Sequence, residues 1–226
     1  GRTALMQAAS DGHTETVKVL LAKGAEVRER DNESRTALML AASNGRTETV
    51  ELLLSRGAEI NVWTNDGRTA RMWAAESGHT ETVNTLLSKR ASVNRKDGDG
   101  WTALMWAVDK GHTETAEALL AKGAAVNTKD KSGLAVLARA AGSGQTGIVR
   151  AMLARGANPD VTDKDGMTPL MHAAFEGHVE TVKALIEKNA KVNATAKDGW
   201  TTAYLLADQQ GHEEIVELIK AAGGKL

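Results

Sequence analysis

Glycine returns at a fixed interval of 33 residues along this chain. Gly1, Gly67, Gly100, Gly133, Gly166 and Gly199 share one register, with Ser34 standing in once. A second register runs through Gly12, Gly45, Gly78, Gly111, Gly144 and Gly177, and Gly211 arrives one residue late. Between these marks the text recurs, as in GRTALMQAASDGHTETVKVLLAKGAEV, SRTALMLAASNGRTETVELLLSRGAEI and GMTPLMHAAFEGHVETVKALIEKNAKV. A period of this length means one small supersecondary unit copied in series. Such a unit cannot cover its own apolar side, so neighbours must stack and share a continuous core. Threonine precedes the first helix of a copy as its N-cap, and Pro169 takes the first helical position of one copy. The repeat glycine then ends that helix in the left-handed conformation. The second helix buries Val17, Leu20 and Leu21 and their equivalents, spaced i, i+3 and i+4. A stretch such as GAEINVWTNDG reads as an extended turn into the next copy. Seven copies span about 1–33, 34–66, 67–99, 100–132, 133–165, 166–198 and 199–226, one repeat domain in all.

In period, residue types and glycine placement the chain resembles the ankyrin repeat family over its whole length. The resemblance implies an all-α repeat solenoid. Each unit would be a helix-turn-helix plus a projecting β-hairpin loop, and the units would form a curved stack. It also implies that first helices and hairpin tips line a concave face that binds a protein or peptide. The family usually carries Thr-Pro-Leu-His where this chain mostly has Thr-Ala-Leu-Met. The family's structural histidine is thus replaced by Met6, Met39, Met72, Met105 and Met171, and thioether packing is expected in its place. At the far end Lys220 and Asp208 put polar residues on the outward stacking face, as a terminal cap requires. Repeat one shows no such change: Leu5, Ala8, Ala9, Val17 and Leu20 read as internal. The expectation is therefore a natural C-terminus and an N-terminal cap that is absent. The chain would be a monomer, with association through the uncapped N-terminal face as the alternative.

Composition narrows the function. A net charge of -1 argues against a general nucleic-acid binder, which needs a basic excess. No apolar run approaches the roughly 20 residues that span a bilayer. Cysteine is absent, which excludes disulfides and thiolate metal sites and suits an intracellular protein. The chain opens on Gly1 rather than methionine, so residues removed upstream are expected and localisation stays open. His13, His79, His112, His178 and His212 follow the repeat glycine and read as structural. Glu15, Glu48, Glu81 and Glu114 suit the first turn of the second helix through its dipole. No nucleophile elbow, phosphate loop or HExxH occurs. No catalytic residue, metal site or cofactor is assigned.

The slots that the repeat leaves free carry the candidate binding residues. Arg71 occupies a slot that holds Leu5, Leu38, Leu104, Leu137, Leu170 or Tyr204 elsewhere, so it faces the core. Its charged head is expected to snorkel to water. Trp73 shares its slot with Gln7, Leu40, Trp106, Arg139, His172 and Leu206, so it faces the groove. Arg90 stands where glycine caps the second helix elsewhere, a strained position that Asn189 tolerates better. Repeat three is thus an expected weak point. So is repeat five, where Ala135 lacks a capping hydroxyl and Gly142 and Gly147 dilute the helices. Candidate partner contacts are Trp63, Trp73, Trp101, Trp106 and Trp200, with Phe175, His172 and Arg139 on the groove side. Stacking between repeats is the alternative role for the tryptophans. The slot after the hairpin glycine runs Arg2, Arg35, Arg68, Trp101, Leu134, Met167, Trp200. A partner acidic at one end and apolar in its centre would match that ladder. The whole reads as a non-catalytic protein-interaction scaffold. The alternatives are a regulatory ankyrin module cut from a larger multidomain protein, or an engineered ankyrin binding scaffold.

Overall fold

The computed structural model describes residues 1–225, and among them the chain forms fourteen helices arranged as seven consecutive pairs. It divides into two compact units, Gly1–Ala124 and Ala125–Leu226. The first unit holds α1 Ala4–Asp11, α2 Thr14–Ala22, α3 Ala37–Ser43, α4 Thr47–Ser55, α5 Ala70–Glu76, α6 Thr80–Ser88, α7 Ala103–Asp109 and α8 Thr113–Ala121. The second holds α9 Val136–Gly142, α10 Thr146–Ala154, α11 Pro169–Phe175, α12 Val179–Glu187, α13 Ala203–Gln209 and α14 Glu213–Ala221. In the first unit, α1, α3, α5 and α7 pack in file, and so do α2, α4, α6 and α8. In the second, α11 packs between α9 and α13, and α12 between α10 and α14.

Helices of seven to nine residues are too short to stand alone in water, so their ends and their shared core must hold them. Thr3, Thr36, Thr102, Thr168 and Thr202 each accept a hydrogen bond from the backbone N–H three residues on. Ala135 has no oxygen to offer, and α9 starts without a side-chain cap. Two of the methionines in the histidine slot accept a hydrogen bond as well as packing. The N–H of Thr69 donates to Met72 Sδ at 3.5 Å, and that of Thr168 to Met171 Sδ at 3.4 Å. Val50, Leu53, Val83, Leu86 and Leu119 are fully buried along the second-helix file, each large side chain contributing about 1.5–3 kcal/mol. Leu20, in the first repeat, is only half-buried, and Val19 is exposed. Tyr204 fills the leucine slot of the last repeat, and Lys220 and Asp208 are exposed.

Polar contacts fix the spacing between repeats. Threonine hydroxyls pair across successive second helices at 2.7–2.8 Å: Thr14 with Thr49, Thr47 with Thr82, Thr80 with Thr115, and Thr146 with Thr181. Histidine after the repeat glycine reaches back one repeat. His79 Nε2 meets Ser43 O at 3.1 Å, His112 meets Glu76 O at 2.9 Å, and His178 meets Gly142 O at 3.0 Å. The ring lies so close that a Cβ on Gly45 would sit 2.6 Å from His79 Nδ1.

The loops between repeats turn tightly but do not pair as strands; one isolated bridge, Lys129 with Ala135, is found among the described residues. Each turn closes through a backbone bond from its first N–H to the carbonyl four residues on, such as Thr64 N–H to Arg68 O or Asp97 N–H to Trp101 O. In the last repeat the bond runs from Ala196 N–H to Thr201 O, one residue wider, where the extra residue is taken up. Successive tips join directly: Gly98 N–H donates to Asp66 O at 2.7 Å. That approach leaves no room for a side chain on Gly67, whose φ is 85°. Arg90 and Asn189 do adopt left-handed φ, at 66° and 60°. Replacing Arg90→Gly is expected to stabilise the chain by about 1 kcal/mol, since glycine enters this region without Cβ strain. An unchanged midpoint in thermal unfolding would show that Arg90 carries no strain.

Candidate functional site

One device recurs within each unit, where a loop meets a first helix. An aspartate in the turn accepts the backbone N–H four residues on through Oδ1. The pairs are Asp31 with Arg35 (2.9 Å), Asp97 with Trp101 (2.8 Å), Asp130 with Leu134 (3.0 Å) and Asp163 with Met167 (2.9 Å). Its second oxygen then catches a side chain of the same face. Asp97 Oδ2 takes the Trp106 indole N–H at 2.8 Å, Asp130 Oδ2 takes Arg139 Nη2 at 3.0 Å, and Asp163 Oδ2 meets His172 Nε2 at 2.9 Å. In repeat two the groove residue is Leu40, and Asp31 Oδ2 instead takes Arg35 Nε at 2.7 Å. Burial alone would push the Asp31 and Asp130 carboxyls up. The facing guanidiniums and backbone N–H groups outweigh it and hold both below the usual carboxylate range.

The turn that leads into repeat three lacks the aspartate. Thr64 stands there, and its single oxygen is spent on the turn: it accepts Arg68 N–H at 3.0 Å and donates to Asp66. The indole N–H of Trp73, nine residues on, is left without a hydrogen-bond partner. Trp73 is instead held through its ring. The Arg68 guanidinium lies 3.7 Å from the Trp73 centroid and 3.9 Å from that of Trp106, between the two, and pairs with Glu76. Trp101 continues the stack at 4.6 Å from Trp106, tilted by 47°. A cation enclosed by two indoles is worth about 2 kcal/mol when desolvated. The sequence places Trp73, Trp101, Trp106 and Arg68 separately; the structure brings all four together. Trp73, Trp101 and Trp106 remain half-exposed, whereas Arg68 is only 8% exposed.

The other candidates fall in distinct settings. Trp63 is exposed outside this cluster, with the Arg95 guanidinium 3.9 Å above its ring. Arg2 is exposed, and Arg35 is paired with Asp31 and Glu33. In the second unit, Phe175 and Trp200 are exposed, while Arg139 and His172 are half-buried against their aspartates. The aspartates were not among the candidates, although their own 33-residue recurrence at 31, 97, 130 and 163 could have signalled them. Among the described residues no group of three or more His, Cys, Asp or Glu could hold a metal ion.

Arg71 does face the core, but its head does not reach water as expected. The residue is 2% exposed, because α5 is packed between α3 and α7 and the slot has no open side. Its Nε and Nη2 lack partners, and burial pushes its pKa down to about 10. Unpaired buried polar groups cost about 1–3 kcal/mol each. Arg71→Leu is therefore expected to raise the free energy of unfolding by about 2 kcal/mol, read as a higher denaturant midpoint. A lower midpoint would mean that the guanidinium is satisfied. Thr64→Asp should restore the second oxygen and give the Trp73 N–H its acceptor, adding about 1 kcal/mol. An indole N–H resonance of Trp73 that does not move in the variant would refute that geometry.

Comparison with known proteins agrees with this architecture. A family profile described as ankyrin repeats matches in three copies, over residues 1–64, 60–130 and 137–225. A search among curated protein sequences returned no match. Among solved structures, the crystal structure of the human ASB11 ankyrin repeat domain is similar, with 27% sequence identity and a TM-score of 0.85. The match covers 96% of this chain and 98% of that one.

Proposed function

The chain belongs to the ankyrin repeat family, whose domains are generally protein–protein interaction modules. On that premise we propose that it is a non-catalytic scaffold binding a protein or peptide partner through its first-helix and loop face. The observation that carries this reading is the Trp73–Arg68–Trp106–Trp101 stack, a half-exposed aromatic surface in the middle of the first unit's face. Tryptophan and arginine dominate the energetics of interfaces because they bury large area at little conformational cost. Here the rings are locked before any partner arrives, by stacking and by the Asp97–Trp106 bond, so little ordering entropy is lost on binding.

The face offers little for catalysis. Asp31, Asp97, Asp130 and Asp163 each commit both oxygens to their own loop and their own face residue. A general acid or base needs a carboxyl free to exchange its proton with substrate. A partner acidic toward the Arg2 and Arg35 end and apolar over the tryptophans fits the first unit's face best.

Trp73→Ala combined with Trp106→Ala is expected to weaken partner binding at least tenfold. Because both rings enclose Arg68, the double variant should also lose about 1–3 kcal/mol of stability, while circular dichroism still reports a helical fold. Quantitative pull-down with wild type and double variant side by side checks this. Partners retained equally by both would move the site off this face.

A further inference from the structure

The unmet polar groups of the first unit are not scattered. Among the described residues, its buried side-chain nitrogens without a hydrogen-bond partner are Arg68 Nε, Arg71 Nε, Arg71 Nη2, Trp73 Nε1 and Arg95 Nε, and all belong to repeat three. We propose that repeat three is a joint built into the first unit: α5 and α6 open together, ahead of α3 and α4. The closed form predominates, and the open form is a minor state. This opening goes beyond the scaffold reading and stands whether or not a partner uses the surface.

Repeat two is the matched comparison, because both repeats are packed on both flanks: α3 lies between α1 and α5, and α5 between α3 and α7. In such a stack each repeat contributes its own stability and the interfaces it shares, so opening an interior repeat breaks two interfaces. The polar links between second helices are the same in kind. Thr47–Thr82 and Thr80–Thr115 join α6 to its neighbours, as Thr14–Thr49 and Thr47–Thr82 join α4. The difference lies inside repeat three. Arg71 is 2% exposed where repeat two has Leu38 at 1%. A buried donor without a partner has given up its bonds to water and received nothing in exchange. Arg90 takes a φ of 66° where repeat two has Gly57, a conformation that a Cβ disfavours. Half-buried Thr85 of α6 replaces half-buried Leu52 of α4, so less apolar area is shared.

The aromatic stack works against opening, since Arg68 lies between Trp73 of α5 and Trp106 of α7. It ties the two helices together but gives Arg71 no acceptor. When α5 and α6 open, the Arg71 guanidinium and the Trp73 N–H both reach water and Arg90 returns to negative φ. Folded chains open in contiguous cooperative pieces of this size, each with its own free energy. Opening also takes Trp73 away from Arg68 and Trp106. The four-residue stack therefore exists only in the closed form.

Native-state hydrogen exchange on the full chain, followed amide by amide, tests this. Equivalent amides in the two repeats make backbone bonds of matching length. Trp73 N–H to Thr69 O and Leu40 N–H to Thr36 O are both 3.2 Å, and His79 N–H to Ala74 O and Arg46 N–H to Ala41 O are both 2.9 Å. Val83 N–H to His79 O is 2.9 Å, and Val50 N–H to Arg46 O is 2.8 Å. A difference in protection between them reports opening rather than a longer bond. The amides of Trp73, His79 and Val83 should be protected about tenfold less, or lower still, than those of Leu40, Arg46 and Val50. Arg71→Leu should raise the protection of these three about tenfold, and Arg90→Gly several-fold, each by more than it raises repeat two. Equal or greater protection of repeat three in the wild type overturns the proposal. So does low protection that both replacements leave in place, because the opening would then owe nothing to the groups named.

Discussion

Every helix here is seven to nine residues long, and a helix of that length with one apolar face has no stability of its own. The shared core between neighbouring repeats is thus the interaction on which the rest depends. It explains why the first-helix file carries buried alanine pairs such as Ala41–Ala42 and Ala74–Ala75, which let helices approach closely, and the second-helix file valine and leucine. It also explains why the polar links recur at the repeat spacing. Threonine pairs at 2.7–2.8 Å and histidine bonds to the preceding repeat set the distance at which that core closes.

That rigidity has a functional consequence. Because the stack holds the first helices, side chains on their open face project from fixed points, and each repeat can vary one or two positions without disturbing its core. The turn aspartate is the coupling between loop and helix. One oxygen shapes the turn, and the other orients the residue presented to a partner. Where the aspartate is absent, as at Thr64, the turn survives because a hydroxyl serves the backbone, but the presented residue loses its acceptor. The change costs stability, because it leaves a buried donor unmet beneath the face. Repeat three, with Arg71 buried unpaired and Arg90 strained, concentrates several such costs beside the aromatic stack.

Much of this was legible in advance. The period and the slot pattern told which residues point inward, and Arg71, Tyr204, Arg90 and Asn189 lie where that pattern puts them. The expectation for Arg71's head failed because slot patterns give a direction and not a depth. A snorkelling arginine needs an open side, and a helix packed by neighbours on both flanks has none. The turn aspartates escaped notice for a different reason. Acidic residues are common in these loops, and only the geometry showed that one of them reaches a side chain nine residues away.

Arg2, Arg35 and Arg68 put the division most clearly. By itself the sequence determined the repeat, the helix pairs, the caps and the inward and outward faces, because these follow from short-range spacing and from the need of each unit for cover. It presented the three arginines as equivalent, one slot in successive repeats. Tertiary structure made them different: Arg2 exposed, Arg35 ion-paired within its turn, Arg68 enclosed between two indoles. The physical reason is that a side chain on a repeat surface takes its environment from neighbours outside its own slot: Asp31, four residues back, for Arg35, and Trp73 and Trp106, 5 and 38 residues on, for Arg68. Whether those are leucine, tryptophan or aspartate is not set by the period.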